Sequence, residues 1–459
     1  MLEVVSPYTG DVIRTIQTHS QADLQHMLTR AYTLHRDRSR WMSVQTRIEI
    51  LSRAAQLLQT RFETFAELIA NEGAKPLQDA RVEAKRAAEG LQMCADHIRA
   101  DVGRTIPLGL SPLTQGHHAR TFKEPIGVVA AISAFNHPLN LIVHQVGPAI
   151  AAGCPVIIKP APDTPLSALA LVDLLTEAGL AQGWCQPLIA DNDVAQALVT
   201  DARLGFFSFI GSARVGWHLR TLLAPGVRCA LEHGGAAPLI ACEDAAMDKL
   251  IPAVCKGGFY HAGQVCVSVQ RVYVPSNKLE KFVTELVAGV KQLTVGDPLD
   301  ANTDVGPLIR PGEVDRVENW VQEAVNEGAV LACGGSRINA RLFAPTVLVN
   351  PALSSKVSRE EIFGPVVCVY SFDQIEDAIA QANALPVAFQ AAVFSQDINR
   401  ASEVAAALDG SAIMINNHTA FRDDVMPFAG LRHSGLGVGG IPYTIDDMQI
   451  DKMIVTRTG

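Results

Sequence analysis

From residue 127 the chain changes from a helical pattern to a strict alternation of β-branched apolar runs and helical segments. Residues 127–134, 155–159, 186–190, 204–210 and 228–231 read as strands, and 139–152, 166–178, 193–200 and 213–223 read as the helices between them. Short links between such elements leave few solutions other than a parallel sheet covered by helices on both faces. Sheets of that kind bind ligands beyond the carboxyl ends of their strands. Here those ends carry Asn136, Lys159, Gly211 and Glu232. A second α/β block runs from about Gly235 to Gly430, and the tail, residues 446–458, alternates weakly as an edge strand would.

Before the alternation, Ile48, Leu51, Ala55, Leu58, Phe62, Phe65 and Ile69 recur at helical spacing and make one apolar face. Gly73 and Pro76 end that stretch, a more polar helix is expected over 77–101, and 104–123 reads as a loop or edge hairpin. With 459 residues, 48% of them apolar, the chain is long enough for two or three domains. Its net charge of −9 without a basic block argues against nucleic acid as the main partner. The start lacks a basic and apolar leader pattern and no apolar run is long enough to cross a bilayer, so neither a signal peptide nor a membrane partner is expected. Nine cysteines without CxxC or regular spacing fit a reducing cytoplasm better than a disulfide framework.

The clearest chemical signal is Phe259-Tyr260-His261-Ala262-Gly263-Gln264-Val265-Cys266-Val267-Ser268, a cysteine on a glycine-hinged segment between apolar flanks. Upstream lies Leu231-Glu232-His233-Gly234-Gly235, an acid next to two glycines. A thiol nucleophile and a carboxylate brought together suggest covalent chemistry on a carbonyl, with the acid handling protons. Gly211-Ser212-Ala213-Arg214-Val215-Gly216 follows a strand and opens a helix, where free N–H groups suit a pyrophosphate; the plain alternative is a strand–helix turn of small residues. Gly435-Leu436-Gly437-Val438-Gly439-Gly440 satisfies a dinucleotide fingerprint literally, but Pro442 follows and neither a preceding strand nor a following helix is evident, so it reads as a loop. Lys159 at a strand end can reach a ribose or phosphate, or simply be solvated; Asn136 can donate to an oxyanion, or simply make a pre-proline turn. Cys255, His261 and Cys266 match no common zinc spacing, so no metal is expected, while His261 with Cys266 remains a competing hydrolase-type pair.

Taken in order, these segments resemble the NAD(P)-dependent aldehyde dehydrogenase superfamily over nearly the whole chain. The matching motifs are Ser6-Pro7-Tyr8-Thr9-Gly10, Glu124-Pro125-Ile126-Gly127-Val128-Val129, Phe135-Asn136-His137-Pro138-Leu139, Lys159-Pro160-Ala161-Pro162-Asp163-Thr164-Pro165, Phe209-Ile210-Gly211-Ser212, Leu231-Glu232-His233-Gly234-Gly235, Gly263-Gln264-Val265-Cys266, Glu360-Glu361-Ile362-Phe363-Gly364-Pro365 and Met426-Pro427-Phe428-Ala429-Gly430. The resemblance implies an α/β protein of two parallel-sheet domains with a small β oligomerisation element. The Rossmann-like cofactor domain would take residues 1–106 and 127–232, the catalytic domain 233–430, and the oligomerisation element 107–126 and 440–459. It implies a homodimer or homotetramer in which the tail strand joins a neighbour's sheet.

It also implies roles. Cys266 attacks an aldehyde, and Asn136 with the Cys266 backbone N–H holds the oxyanion. NAD or NADP takes the hydride, and Glu232 activates water to release the acid. Ile132, Ser133, Lys159, Ala161, Phe209, Gly211, Ser212, Val215 and His233 would contact the cofactor, with Glu361 on the nicotinamide ribose and Phe363 packed nearby. Several positions depart from the family pattern. Pro162 stands where many NAD-preferring relatives have a ribose-binding Glu, which leaves NADP open. Phe135 replaces a common Trp, His233 replaces Leu, and Val438-Gly439 replaces Arg-Glu. For the substrate, His137, Arg120, His418 and Arg422 are the candidates, with Arg104 and Arg432 as further contributors. Arg422 with His137 resembles the branch acting on small oxygenated or anionic aldehydes such as lactaldehyde, phosphonoacetaldehyde or semialdehydes. The alternative is that Arg422 pairs with Asp423 or Asp424. Two other function classes remain: a cysteine hydrolase or acyl-transfer enzyme, and a silent binding protein on the same fold.

Overall fold

The structure is a computed structural model, and it describes residues 1–458. The alternating region forms a six-stranded sheet in the spatial order Gly435–Leu436, Arg228–Glu232, Leu204–Ile210, Val128–Ile132, Val156–Lys159 and Cys185–Pro187. Every neighbouring pair is parallel except the short Gly435–Leu436, which runs antiparallel to Arg228–Glu232. The chain enters at Val128–Ile132 in the middle, builds outward to Cys185–Pro187, then returns to the other side with Leu204–Ile210. Two successive crossovers therefore diverge from the carboxyl ends of Val128–Ile132 and Leu204–Ile210, and a crevice opens there.

The second block is a seven-stranded sheet ordered Val330–Cys333, Thr346–Val349, Val366–Phe372, Val269–Pro275, Ala237–Ala241, Gln390–Phe394 and Ala412–Ile415. It is parallel apart from the edge pair Val330–Cys333 and Thr346–Val349. Its central strands are buried on both faces because helices cover both. A third sheet joins Gln449–Arg457, His117–Pro125 and Arg104–Ile106 in antiparallel register.

The strands and helices expected over residues 127–232 are present with ends shifted by a few residues. Three details differ. The apolar face expected over 48–69 is divided at Arg61 into helices Val44–Thr60 and Phe62–Gly73. A seven-residue helix, Ile441–Asp447, follows the glycine-rich stretch that reads as a loop. Its Ile441 and Ile445, with Met448 beyond it, are fully buried in the core beneath the six-stranded sheet, so this part of 440–459 does not sit with the tail strand. Conversely, Arg104–Ile106 pairs with His117–Pro125, so residues 104–106 go with the third sheet rather than the first.

Candidate active site

The carboxyl ends of the six-stranded sheet and the segments leading into the central strands of the seven-stranded sheet face one cleft of about 1000 Å³. Most of the residues singled out in the sequence line it: Ile132, Ser133, Asn136, His137, Ala161, Phe209, Gly211, Ser212, Val215, Glu232, His233, Cys266, Glu361, Phe363, His418 and Arg422. Segments up to hundreds of residues apart converge because each is the first turn after a strand, or the connection into one.

Cys266 lies on the approach to the strand Val269–Pro275, after a turn that only a special backbone allows. His261, Ala262 and Gly263 have φ of 48°, 55° and 70°, three successive left-handed residues. A side chain at Gly263 would come within 2.1 Å of the Gly364 carbonyl oxygen, so glycine is required there. The buried side chain of Gln264 braces the turn. Its Nε2 donates to the carbonyls of His261 and Pro307 at 3.2 and 3.3 Å, and its Oε1 accepts from the Ile309 N–H at 3.0 Å. Asn136 Nδ2 donates to the Gln264 carbonyl at 2.9 Å. Burial, then the charges of Glu361 and Glu232, push the Cys266 thiol well above its ordinary value, while Arg422 pulls the other way. His261 does not serve as a partner base. Its ring is fully buried, neither nitrogen is hydrogen-bonded, and it is not part of the cleft wall.

Glu232 ends the strand Arg228–Glu232, and burial pushes its carboxyl up, with His144 and Arg422 opposing. A side chain on Gly439 would lie 2.0 Å from Glu232 Oε1, so the glycine-rich stretch that mimics a phosphate loop is a cradle for this carboxylate.

The opposite end of the cleft fits a dinucleotide. The helix Ala213–Thr221 starts there without a side-chain cap, and its first N–H groups are available to an anion. Gly216 leaves the room that His233 needs, since a side chain would meet the imidazole at 2.0 Å. His233 Nδ1 sits 2.9 Å from the Gly211 carbonyl, which fixes the ring. Across the cleft, Glu361 packs over Gly234, and burial pushes its carboxyl up to about 8 despite the Gly235 N–H and Arg316. Its Oε1 is buried without a partner, as is Ser133 Oγ, and both fit sugar hydroxyls or amide groups. Phe363, at φ 49°, packs edge-on against Phe135 at 5.9 Å. Lys159 is buried just beneath this surface rather than on it, and burial lowers its pKa.

The substrate candidates divide. Arg422 lines the cleft and makes no ion pair with Asp423 or Asp424 among the described residues. Its guanidinium stacks 4.5 Å from the Phe428 ring centre, Nη1 donates to the Pro427 carbonyl at 3.2 Å, and Nη2 is buried without a partner. Asp424 is taken instead by Arg86 and His144, at 2.5 and 2.9 Å. His137 faces the cleft, but burial, Lys75 and His261 hold its imidazole neutral, which suits a hydrogen bond better than an anion. His418 is likewise lowered by burial. Arg120 is a correction. It projects from the middle strand of the three-stranded sheet, opposite Ile454 and Thr105, is exposed, and is not part of the cleft wall. Arg104 lies on the same sheet, and Arg432 is held by Asp409 and the Leu385 carbonyl. The Arg86, His144 and Asp424 group and the Gly439 cradle are absent from the sequence reading, because their residues are far apart in the chain and none stands in a recognisable motif.

The model of the aldehyde dehydrogenase family matches residues 1–454. A 3-sulfolactaldehyde dehydrogenase of Priestia aryabhattai is 38% identical over 99% of this chain and 94% of its own length. Among solved structures, aldehyde dehydrogenase 21 of Physcomitrella patens, in complex with its reaction product succinate, is similar at TM-score 0.96 and 33% identity, covering 99% of this chain and 95% of that one. A glyceraldehyde-3-phosphate dehydrogenase of Methanocaldococcus jannaschii, complexed with NADP, is similar at TM-score 0.95 and 32% identity, covering 100% of this chain and 99% of that one. The chain belongs to the aldehyde dehydrogenase family, and it is an enzyme that oxidises aldehydes with NAD or NADP.

Proposed function

We propose that this enzyme oxidises a small, oxygenated aldehyde bearing an anionic group to the corresponding acid, with Cys266 as nucleophile and water as the final acceptor of the acyl group. The observation that carries the substrate class is Arg422. A half-buried guanidinium in the cleft wall with a sealed, unpartnered Nη2 is costly unless an anion completes it. The sulfonate and the second carboxylate implied by the names of two similar proteins are anions of this kind.

The chain's own residues account for the steps as follows. The Cys266 thiol gives up its proton to water, its sulfur bonds to the carbonyl carbon, and the oxygen that gains charge is held by the second Asn136 amide hydrogen and the Cys266 N–H. Bound NAD(P) supplies the two-electron acceptor. Glu361, Ser133 and the first N–H groups of Ala213–Thr221 would hold that cofactor. Glu232 then takes a proton from water, the hydroxide bonds to the acyl carbon, and the carbon–sulfur bond breaks, the leaving sulfur recovering a proton from Glu232 to return the thiol. Donors aimed at the developing charge contribute about 3 kcal/mol each in sites of this type. The chain also associates with copies of itself through Gln449–Arg457, whose Met453, Ile454 and Val455 are exposed.

The test is to supply NAD or NADP with aldehydes matched in size and differing in charge, and to follow absorbance of the reduced nicotinamide. Anionic hydroxyaldehydes are expected to give the highest kcat/KM. Equal values for neutral aldehydes of the same length defeat the substrate reading, and unimpaired turnover by Cys266→Ala defeats the mechanism.

A further inference from the structure

Asp424 is buried beside the cleft and satisfied from two sides. Arg86 reaches both of its oxygens, Nη2 at 2.5 Å from Oδ1 and Nε at 3.2 Å from Oδ2. His144 Nε2 lies 2.9 Å from Oδ1. A carboxylate only accepts, so the shared proton sits on Nε2, and Nδ1 is the ring atom left for another partner. That Nδ1 has no protein partner among the described residues and is not sealed in. His144 is itself part of the cleft wall that also holds Cys266, Glu232 and Arg422.

Arg86 alone already meets both oxygens of Asp424, so His144 is not needed to satisfy that carboxylate. The dependence runs the other way: Arg86 fixes Asp424, Asp424 fixes the His144 ring through Nε2, and Nδ1 is left for a hydrogen bond in the cleft. We propose that His144 is a specificity-determining residue that hydrogen-bonds a hydroxyl group of the aldehyde, so that the enzyme selects hydroxyaldehydes over their deoxy analogues. Asp424 and Arg86 are positioning residues in this scheme. The inference rests on the reading of Cys266 and Glu232 as the reacting pair. A site built around a substrate hydroxyl discriminates strongly, because the analogue without it leaves a desolvated polar group unpaired.

The experiment compares kcat/KM for lactaldehyde and for propanal, which differ by one hydroxyl, in the wild-type enzyme, His144→Phe and His144→Gln. The wild type is expected to prefer lactaldehyde, and His144→Phe is expected to reduce that preference by at least about tenfold. His144→Gln, whose amide can donate to Asp424 and still accept from the hydroxyl, is expected to retain part of it. A purely structural role would lower both aldehydes together, and a preference in His144→Phe within about threefold of wild type overturns the proposal. Should the Phe variant not fold, inhibition of the wild type by lactate and propionate decides: tighter inhibition by lactate supports the proposal, and equal inhibition overturns it. Turnover of both aldehydes by the wild type without preference defeats only the His144 inference. If neither is turned over, the lactate and propionate inhibition decides the His144 inference, and absence of turnover of an anionic hydroxyaldehyde as well, with NAD or NADP, defeats the underlying function.

Discussion

The side chain of Asn136 and the backbone of Gln264 are joined across the cleft, Nδ2 donating to the carbonyl at 2.9 Å. Asn136 follows a strand of the six-stranded sheet, and Gln264 sits two positions before Cys266, on the approach to a central strand of the seven-stranded one. One amide hydrogen is therefore spent on registering the two sheets, and the other remains for a substrate oxygen. The Gln264 side chain is tied to three further backbone groups, so its carbonyl is a rigid reference point.

Removing that donor has a defined signature. Asn136→Ala is expected to slow the first burst of reduced nicotinamide by about 10²- to 10³-fold, the cost of losing one oxyanion donor. Alkylation of Cys266 by iodoacetamide serves as the control and should change far less, because the thiol itself is untouched. A burst rate close to wild type, measured by stopped flow, removes Asn136 from the oxyanion role.

Glu232 and Gly439 make a paired prediction. Glu232→Gln is expected to preserve the burst and stall the steady state, since only the water-activating base is lost. Gly439→Ala places a methyl group where Glu232 Oε1 now lies, at 2.0 Å, and the carboxylate is the part free to move. The Ala variant should therefore also show a burst followed by slowed turnover, with a melting temperature near wild type. Burial raises both the Glu232 carboxyl and the Cys266 thiol, so the proton-accepting form of each gains population as pH rises. The wild-type rate should climb with pH, and Glu232→Gln should lose one limb of that climb. A profile identical in both enzymes contradicts the assignment.

How much of this was legible in the sequence follows from how local each signal is. The strand–helix alternation over 127–232 is a local pattern, and the structure reproduces it. Cys266, Glu232, Asn136 and Glu361 stand in contiguous motifs at strand ends, and the fold delivers them to one cleft. Charge alone is not such a signal. Arg120 and Arg422 look equally suited to an anion in the sequence, yet one projects from the three-stranded sheet and the other stacks on Phe428 inside the cleft. Arg86, His144 and Asp424 are invisible as a group because nothing local relates them. The Gly435–Gly440 stretch shows the converse: its glycines fit a phosphate motif, but their actual constraint is the Glu232 side chain, a contact between distant segments.

Arg422 should separate charge from size. Arg422→Leu keeps bulk against Phe428 and removes the guanidinium, so KM for an anionic aldehyde is expected to rise about 10- to 100-fold, the worth of one charge-assisted hydrogen bond. A neutral aldehyde of equal length should show a much smaller change. Parallel increases for both would mean that Arg422 shapes the pocket without reading charge.

Glu72 carries a prediction about stability rather than turnover. It is fully buried and caps the helix Leu166–Glu177 from outside, accepting from the Leu166 and Ser167 N–H groups at 2.7 and 2.8 Å and from Ser167 Oγ at 2.5 Å. No cation pairs with it among the described residues, and burial lifts its carboxyl from 4.5 to about 7 in spite of those bonds. Between these values the folded chain holds a proton that the unfolded chain has released. Stability from this group therefore falls as pH rises from about 4.5 and levels off above about 7, a loss on the order of 3 kcal/mol at most. Glu72→Gln cannot ionise, but its amide nitrogen replaces one acceptor and costs about 1 kcal/mol. The variant is thus expected to melt below wild type at pH 5 and to close or reverse the gap at pH 8. Thermal unfolding at the two pH values measures this directly, and a gap that stays constant means that Glu72 is ionised throughout in the folded chain.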